Sequence, residues 1–392
     1  MASPGATVLQ ATTYPGAGAP HPHPADLSAH RPETAMPQAI AAPPKRTPAP
    51  GRESGSEFTP LLRTVREQGL LERRPGWYAA GITANLLALA AVATALALFG
   101  DSPWTLLLAV PLAVFSARTG FVAHDAGHAQ IAARRRTNHL LQIVHANLLL
   151  GMSQEWWNDK HNRHHANPNH VDKDPDVAPD VLVFARHQAG GRTGLRGWLT
   201  RHQAWLFFPL TTLEGLALKV YGFQAVFSAR GRRVGRGERA VEGGLLVAHV
   251  AGYAALLLTT MPPGRALLFA VIHQMLLGLH LGLAFAPNHK GMAMPGEDGG
   301  TENWGHLRRQ VLTSRNIRRG AVTDWLLGGL NYQIEHHLFP SMPRPHLRLA
   351  QPLVRAHCRA LGIPYTETGA LDSYRQVLGH LHTVGEPLRA AA

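Results

Sequence analysis

A single cysteine, Cys358, occurs in 392 residues. One thiol cannot close an internal disulfide, and no cysteine-based zinc or iron–sulfur site can be assembled from it. Acids are also scarce, with 25 Asp and Glu against 38 Lys and Arg, which leaves a net charge of +13. Such an excess suits nucleic acid, an anionic membrane surface or an acidic partner. The arginines cluster beside apolar runs, which favours the membrane, and no nucleic acid partner is expected. Residues 1–56 are not expected to act as a secretory signal, because they lack a basic start followed by an apolar core. Residues 1–56 are rich in Ala, Pro, Gly and Ser without apolar periodicity and read as a disordered tail. His21 and His23 within it read as solvated.

What the chain does have is four long apolar runs, at residues 77–99, 103–123, 241–261 and 266–287. Each is long enough for a hydrocarbon core that needs ~20 helical residues. Only residues 100–102 and 262–265 separate the members of each pair, so the expected fold is an all-α integral membrane protein with four transmembrane helices in two hairpins. Arg63, Arg66, Arg73 and Arg74 precede the first run, Arg134, Arg135 and Arg136 follow the second, Arg230, Arg232, Arg233, Arg236 and Arg239 precede the third, and Lys290 follows the fourth. Positive charge marks the cytoplasmic side. Both termini and the middle segment are therefore expected in the cytoplasm of a multi-pass cell-membrane protein. Residues 137–153 and 198–223 are apolar but interrupted, and read as helices lying in the interface or packed on the bundle. The expected organisation is a membrane domain over 57–360, with a helical cytoplasmic cap, followed by a cytoplasmic tail over 361–392.

Histidine is in excess, at 24 residues. His124 and His128 lie at the cytoplasmic end of the second run, four apart and so on one helical face. In His161-Asn-Arg-His164-His165 the spacings of three and four let all three rings point into one site. The group Gln333-Ile-Glu-His336-His337 repeats that spacing with Gln in the first place, and His289 follows the fourth run. The expected topology brings all four groups to one side of the membrane at similar depth. Nitrogen donors suit zinc, copper, iron or nickel, whereas calcium and magnesium want oxygens. Eight imidazoles exceed the needs of one ion, so two are implied. The Glu and Glu-x-x-His pattern of soluble di-iron bundles is absent. Residue chemistry alone reaches two imidazole-bound transition metals and does not choose among them.

The set His-Asp-x-x-His, His-x-x-His-His and Gln-x-x-His-His, in that order, resembles the membrane fatty acid desaturase family. The stretches 161–176 (HNRHHANPNHVDKDPD) and 331–340 (NYQIEHHLFP) resemble its front-end acyl desaturase branch. The resemblance covers roughly residues 75–355. It implies two iron ions, dioxygen as co-substrate and an acyl substrate, carried as acyl-CoA, acyl-carrier thioester or membrane lipid. By box matching it implies His124, His128, His161, His164, His165, His336 and His337 as ligands, with His289 added from the fourth helix. Gln333 stands where other branches have His, either as an oxygen ligand or behind the ligands. Many front-end relatives carry a fused haem domain marked by His-Pro-Gly-Gly, a motif this sequence lacks, so electrons are expected from an external ferredoxin-like donor with its reductase.

Removing hydrogens from an unactivated methylene pair needs an oxidant made at a redox metal, and the acyl chain must be held so that one carbon pair meets it. Asp125, Asn288 and Glu335 adjoin ligands and are candidates to fix imidazole tautomers. Trp156 and Trp157 suit either a tunnel wall or an interfacial anchor. His249, His273 and His280 lie within apolar runs, where polar residues are functional candidates. Asp172, Asp174 and Asp176 form a loop suited to an acyl headgroup or an arginine. The competing readings are a di-iron hydroxylase or monooxygenase of lipids or alkanes, a metal transporter, and a structural membrane protein. Transporters hold ligands near the bilayer midplane, whereas these boxes fall at helix ends.

Overall fold

The computed structural model describes residues 56–100, 102–228, 235–297 and 304–390. The tail expected over residues 1–56 lies outside the described residues but for its last, as do Arg230, Arg232 and Arg233. The described residues belong to one compact unit. It is built almost wholly of helices.

Chain order begins with α1 (Phe58–Glu67) and α2 (Pro75–Phe99). A 3-10 turn over Pro103–Leu108 leads into α3 (Ala109–Gly127). Next come α4 (Arg135–Ile143), which runs on as a π-helical segment over Val144–Leu150, and α5 (Gln154–Ala166). The short α6 (Arg186–Ala189) precedes α7 (Gly194–Thr211) and α8 (Glu214–Phe227). The long helices α9 (Arg236–Thr260) and α10 (Pro263–Phe285) follow. Beyond them lie α11 (His306–Leu312), β1 (Asn316–Ile317), α12 (Ala321–Leu326), α13 (Gln333–Leu338) and α14 (Arg344–Ala360). The chain closes with β2 (Glu367–Thr368), α15 (Ala370–Val384) and α16 (Glu386–Ala390).

Four segments are long and apolar enough to cross a membrane: Pro75–Phe99, Pro103–Gly127, Arg236–Thr260 and Pro263–Asn288. They coincide with the four apolar runs, extended at their ends by residues whose backbone bonds continue the helix. The second starts as a 3-10 turn because Pro103 follows Ser102, whose Oγ accepts from Trp104 N. Large apolar side chains such as Leu98 and Leu267 stay about 70% exposed, at 72% and 68%, as suits a face turned to lipid. Inside, α3 packs on α2 and α10, and α2 packs on α9. Where α2 ends, Gly100 lies so close to the backbone of Thr260 that a Cβ would meet the Thr260 carbonyl oxygen at 1.5 Å, and Arg265 Nη1 donates to Gly100 O at 2.9 Å. The connectors after α2 and after α9 therefore sit side by side.

The interrupted apolar segments pack on this bundle. The π-helical segment lies against α3 and α9, and α8 lies against α10. Gly278 permits the second contact, because a Cβ there would sit 2.5 Å from Thr212 O.

The segment 361–392 departs from the expected tail. β2 pairs in parallel with β1, Asn316 with Glu367 and Ile317 with Thr368. Helix α15 buries Val377 and Leu381 against Phe207 and Phe184, and Tyr374 Oη donates to Leu283 O at the end of α10. Its apolar positions recur at helical spacing, so burying them outweighs leaving the segment solvated.

Candidate metal centre

The four histidine groups meet at the ends of α3, α5, α10 and α13. His124 is in the last turn of α3 and His128 caps it. Ser153 Oγ accepts from Trp156 N and starts α5, which carries His161, His164 and His165. A 3-10 turn at Ala286–Asn288 ends the fourth span and leaves His289 beside them. The short α13 brings Gln333, His336 and His337, all buried.

These side chains form two groups rather than one. Ligand nitrogens of His124, His128, His161, His165 and His336 lie within 4.8 Å of one another, and so do those of His164, His289 and His337. The adjacent pairs divide, one ring to each group. The rings of His164 and His165 meet at 83°, and those of His336 and His337 at 90°. Consecutive helical residues point about 100° apart, whereas residues four apart share a face. His161 and His165 thus turn one way and His164 the other, which corrects the expectation that all three enter one site. By the same rule Gln333 and His337 turn together, and Gln333 Nε2 lies 2.9 Å from His289 Nε2. The groups adjoin where the rings of His165 and His337 stack at 4.2 Å.

Several nitrogens are already in contact. His161 Nε2 is 2.9 Å from His128 Nε2 and 3.1 Å from His165 Nε2, and His164 Nε2 is 3.3 Å from His289 Nε2. Burial, reinforced by neighbouring imidazoles, holds His161, His165, His336 and His337 well below the ordinary histidine range, and takes His289 down to about 3. Neutral rings are the form that binds metal. His164 differs. Burial would lower it too, but the carboxylates of Asp174 and Asp176 reverse the sign and raise it.

Each group contains a ring gripped at Nδ1 with a bare Nε2. His124 Nδ1 meets Asp125 Oδ1 at 3.0 Å, and His337 Nδ1 donates to Gln310 Oε1 at 2.9 Å. The Nε2 atoms of both rings are buried without a hydrogen-bond partner. An imidazole oriented from behind, with its other nitrogen unused inside a nest of imidazoles, fits a transition-metal donor. His164 Nδ1 bonds Asp174 Oδ2 at 2.9 Å and His289 Nδ1 donates to Thr313 O at 2.9 Å.

Of the three residues expected to fix tautomers, Asp125 touches a box imidazole. It also accepts from Tyr78 Oη at 3.0 Å and pairs with Arg344 at 2.5 Å. Asn288 instead donates to Ala284 O and Leu330 O, with Gln333 Oε1 at 3.5 Å, so it sits behind the glutamine. Glu335 points away from the rings, accepting from Asn316 Nδ2 at 2.6 Å and Tyr365 Oη at 2.7 Å, and burial raises it to about 7. Its place between His336 and Ile334 turns it to the opposite face of α13.

The aspartate loop is likewise reassigned. Asp174 is buried and accepts from Asn169 N at 2.7 Å besides His164, while Asp176 pairs with Lys160 at 2.6 Å. Asp172 is exposed. Sequence reasoning missed Gln310 and Thr313, which no motif marks; the Asp-x-Asp spacing beside the second box was a signal for Asp174. Trp157 stacks on His161 at 4.2 Å and so walls the larger group, while Trp156 stacks on Tyr221 at 5.7 Å. The intramembrane histidines are engaged elsewhere: His249 with Leu148 O, His273 with Tyr253 Oη, His280 with Leu326 O.

A sequence profile described as fatty acid desaturase matches residues 101–369. The chain belongs to the fatty acid desaturase family. This desaturase is 31% identical over 342 residues to "Fatty acid desaturase 3" of Bos taurus, spanning 84% of this chain and 73% of that one. It is similar also to the "Delta(6)-fatty-acid desaturase fat-3" of Caenorhabditis elegans, 31% identical over 74% of this chain and 67% of that one. To the "Delta(8)-fatty-acid desaturase 2" of Arabidopsis thaliana it is 27% identical, over 79% and 70%. It is accordingly a membrane oxidoreductase that desaturates fatty acyl substrates, and its histidine groups are suited to holding metal.

Proposed function

We propose that the two imidazole groups hold one iron each and that the pair, with dioxygen, desaturates an acyl chain. The observation that carries this reading is the junction of two nitrogen-rich groups through His165 and His337 at the end of an apolar helical bundle. Two irons and dioxygen supply the oxidant that takes hydrogens from an unactivated methylene pair. The chain's own residues do the rest. His124, His128, His161, His165 and His336 hold the first ion; His164, His289 and His337 hold the second, with the Gln333 amide beside it. Asp125, Asp174 and Gln310 fix the ring orientations. Trp157 closes one wall of the first group and keeps bulk water from it.

The four spans are proposed to cross the cell membrane as two hairpins, with the connectors near Gly100 and Pro263 outside and the histidine groups in a cytoplasmic cap. The adjacency of Gly100, Thr260 and Arg265 supports this, as do the arginines near the opposite ends. The basic cytoplasmic face suits an acidic ferredoxin-like electron donor. The relatives named for Delta(6) and Delta(8) desaturation favour a front-end acyl substrate.

The test is expression in a host of defined lipid composition, with mass-spectrometric location of new double bonds in acyl-CoA, acyl-carrier and membrane-lipid pools. A new double bond in one pool supports the reading and identifies the carrier. A hydroxylated product would replace it with the hydroxylase reading. Cysteine probes at Ser102 and Arg135, in a Cys358→Ser background, should label from opposite sides of the membrane; labelling from one side would refute the hairpins.

A further inference from the structure

Residues 310–316, Gln-Val-Leu-Thr-Ser-Arg-Asn, contain no histidine, cysteine or acid. Nothing in their composition suggests a metal site. Yet Gln310 is 2% exposed, and Thr313, Ser314, Arg315 and Asn316 are fully buried at 0%. Burying polar groups is unfavourable unless they are paired. Ser314 Oγ and Arg315 Nε are left without a partner, and the remaining groups of Gln310, Thr313, Arg315 and Asn316 find most of their partners around the second and third histidine boxes and His289.

Gln310 reaches both ways across the junction between the groups. Its Oε1 accepts from His337 Nδ1 at 2.9 Å, and its Nε2 donates to His165 O at 2.9 Å. Thr313 O accepts from His289 Nδ1 at 2.9 Å. Arg315 then grips both neighbours of His289: its backbone N donates to Asn288 O at 2.8 Å, and its guanidinium donates to Lys290 O. Asn316 supports the third box, since its Oδ1 accepts from Ile334 N at 2.9 Å in the first turn of α13 while its Nδ2 donates to Glu335.

The far side of the segment is tied to the C-terminal region. Asn316 N donates to Thr366 O at 2.9 Å, and the Arg315 guanidinium also donates to Gln376 Oε1 on α15. Among the described residues Arg315 has no carboxylate partner. A buried guanidinium without a counter-ion is costly, and its donors go to the turn that carries His289. We infer that residues 310–316 are a strap that positions the second metal group, with Gln310 and Arg315 as its positioning residues, and that the C-terminal region braces the strap. It acts directly on His289 and His337, two of the three imidazoles of that group. Among the described residues its links to the first group run through the backbone of His165 and, by way of Asn316, through the first turn of α13, and none reaches an imidazole of that group.

This rests on the two-metal reading, and the test separates the two. Full-length protein is purified in detergent, and the affinity of each bound ion is measured by chelator competition with metal analysis. Gln310→Leu removes the His337 acceptor and should weaken the second ion about 10–100-fold, the range for partners behind a ligand, while leaving the first unchanged. Gln310→Glu keeps an acceptor oxygen for His337 Nδ1 and should restore the second ion. Arg315→Met should weaken the second ion independently. The inference is overturned if Gln310→Leu and Arg315→Met bind the second ion as wild type does. It is also overturned if they weaken both ions alike and Gln310→Glu fails to rescue. Wild-type protein that binds no pair of ions would instead refute the reading beneath it.

Discussion

The two imidazole groups lie against each other and yet are built differently. The first gathers five imidazoles, from α3, α5 and α13, and one of them leans on Asp125, which is itself held by Arg344 and Tyr78. The second gathers three, from α5, α13 and the turn after α10, with a glutamine amide beside them. Two of its rings are steadied by an amide and a backbone carbonyl on the 310–316 segment. One group is rich in imidazoles, two of which sit at the end of the membrane-spanning α3. The other is poor in ligands and depends on what stands behind them. Neighbouring positions in a single centre can thus differ in how much substitution they tolerate.

Ligand removal should expose that difference most strongly. His289→Ala or His337→Ala leaves two imidazoles in the second group and should abolish both turnover and binding of the second ion. His128→Ala leaves four in the first group; turnover should fall, but both ions should remain. Metal analysis of the purified variants decides. If His128→Ala empties its site while His337→Ala keeps both ions, the comparison is inverted.

A smaller effect is expected from the carboxylates behind the rings. Asp125→Ala strands the Arg344 guanidinium and should cost roughly 3–5 kcal/mol of stability, as breaking a buried pair does. Asp174→Ala should cost less, about 1–3 kcal/mol, because Asp176 Oδ2 already lies 3.5 Å from His164 Nδ1. Thermal unfolding in detergent orders the two, and an equal loss would mean that the aspartates do not differ in kind.

Reading these residues in the chain succeeds where a pattern is local. The four spans follow from the length of uninterrupted apolar sequence, and the pairing of His124 with His128 follows from a spacing of four. The split of His164 from His165 is equally local, because adjacent helical positions diverge, but the tight grouping in sequence suggested one site. Gln310 and Arg315 were not legible. Their partners lie 27 and 145 positions away for Gln310, and 25 and 61 for Arg315, and neither residue type announces a metal. The role of 361–392 was hidden for a related reason: its short strand and α15 acquire meaning only against β1 and α7.

The mildest change bears on Gln333. Gln333→His would add a fourth imidazole to the second group and should tighten its ion by about tenfold, ~1.4 kcal/mol. A larger gain, measured by chelator competition, would make the glutamine the main source of the inequality rather than one part of it.

Two unequal groups that each hold an ion should release their ions separately. Stepwise metal release from the purified wild-type protein, followed with increasing chelator, tests it directly. About two ions per chain are expected, leaving in two separate steps, with the weaker step missing in His289→Ala. One ion per chain, or two that leave together and are indifferent to His289→Ala, would contradict it.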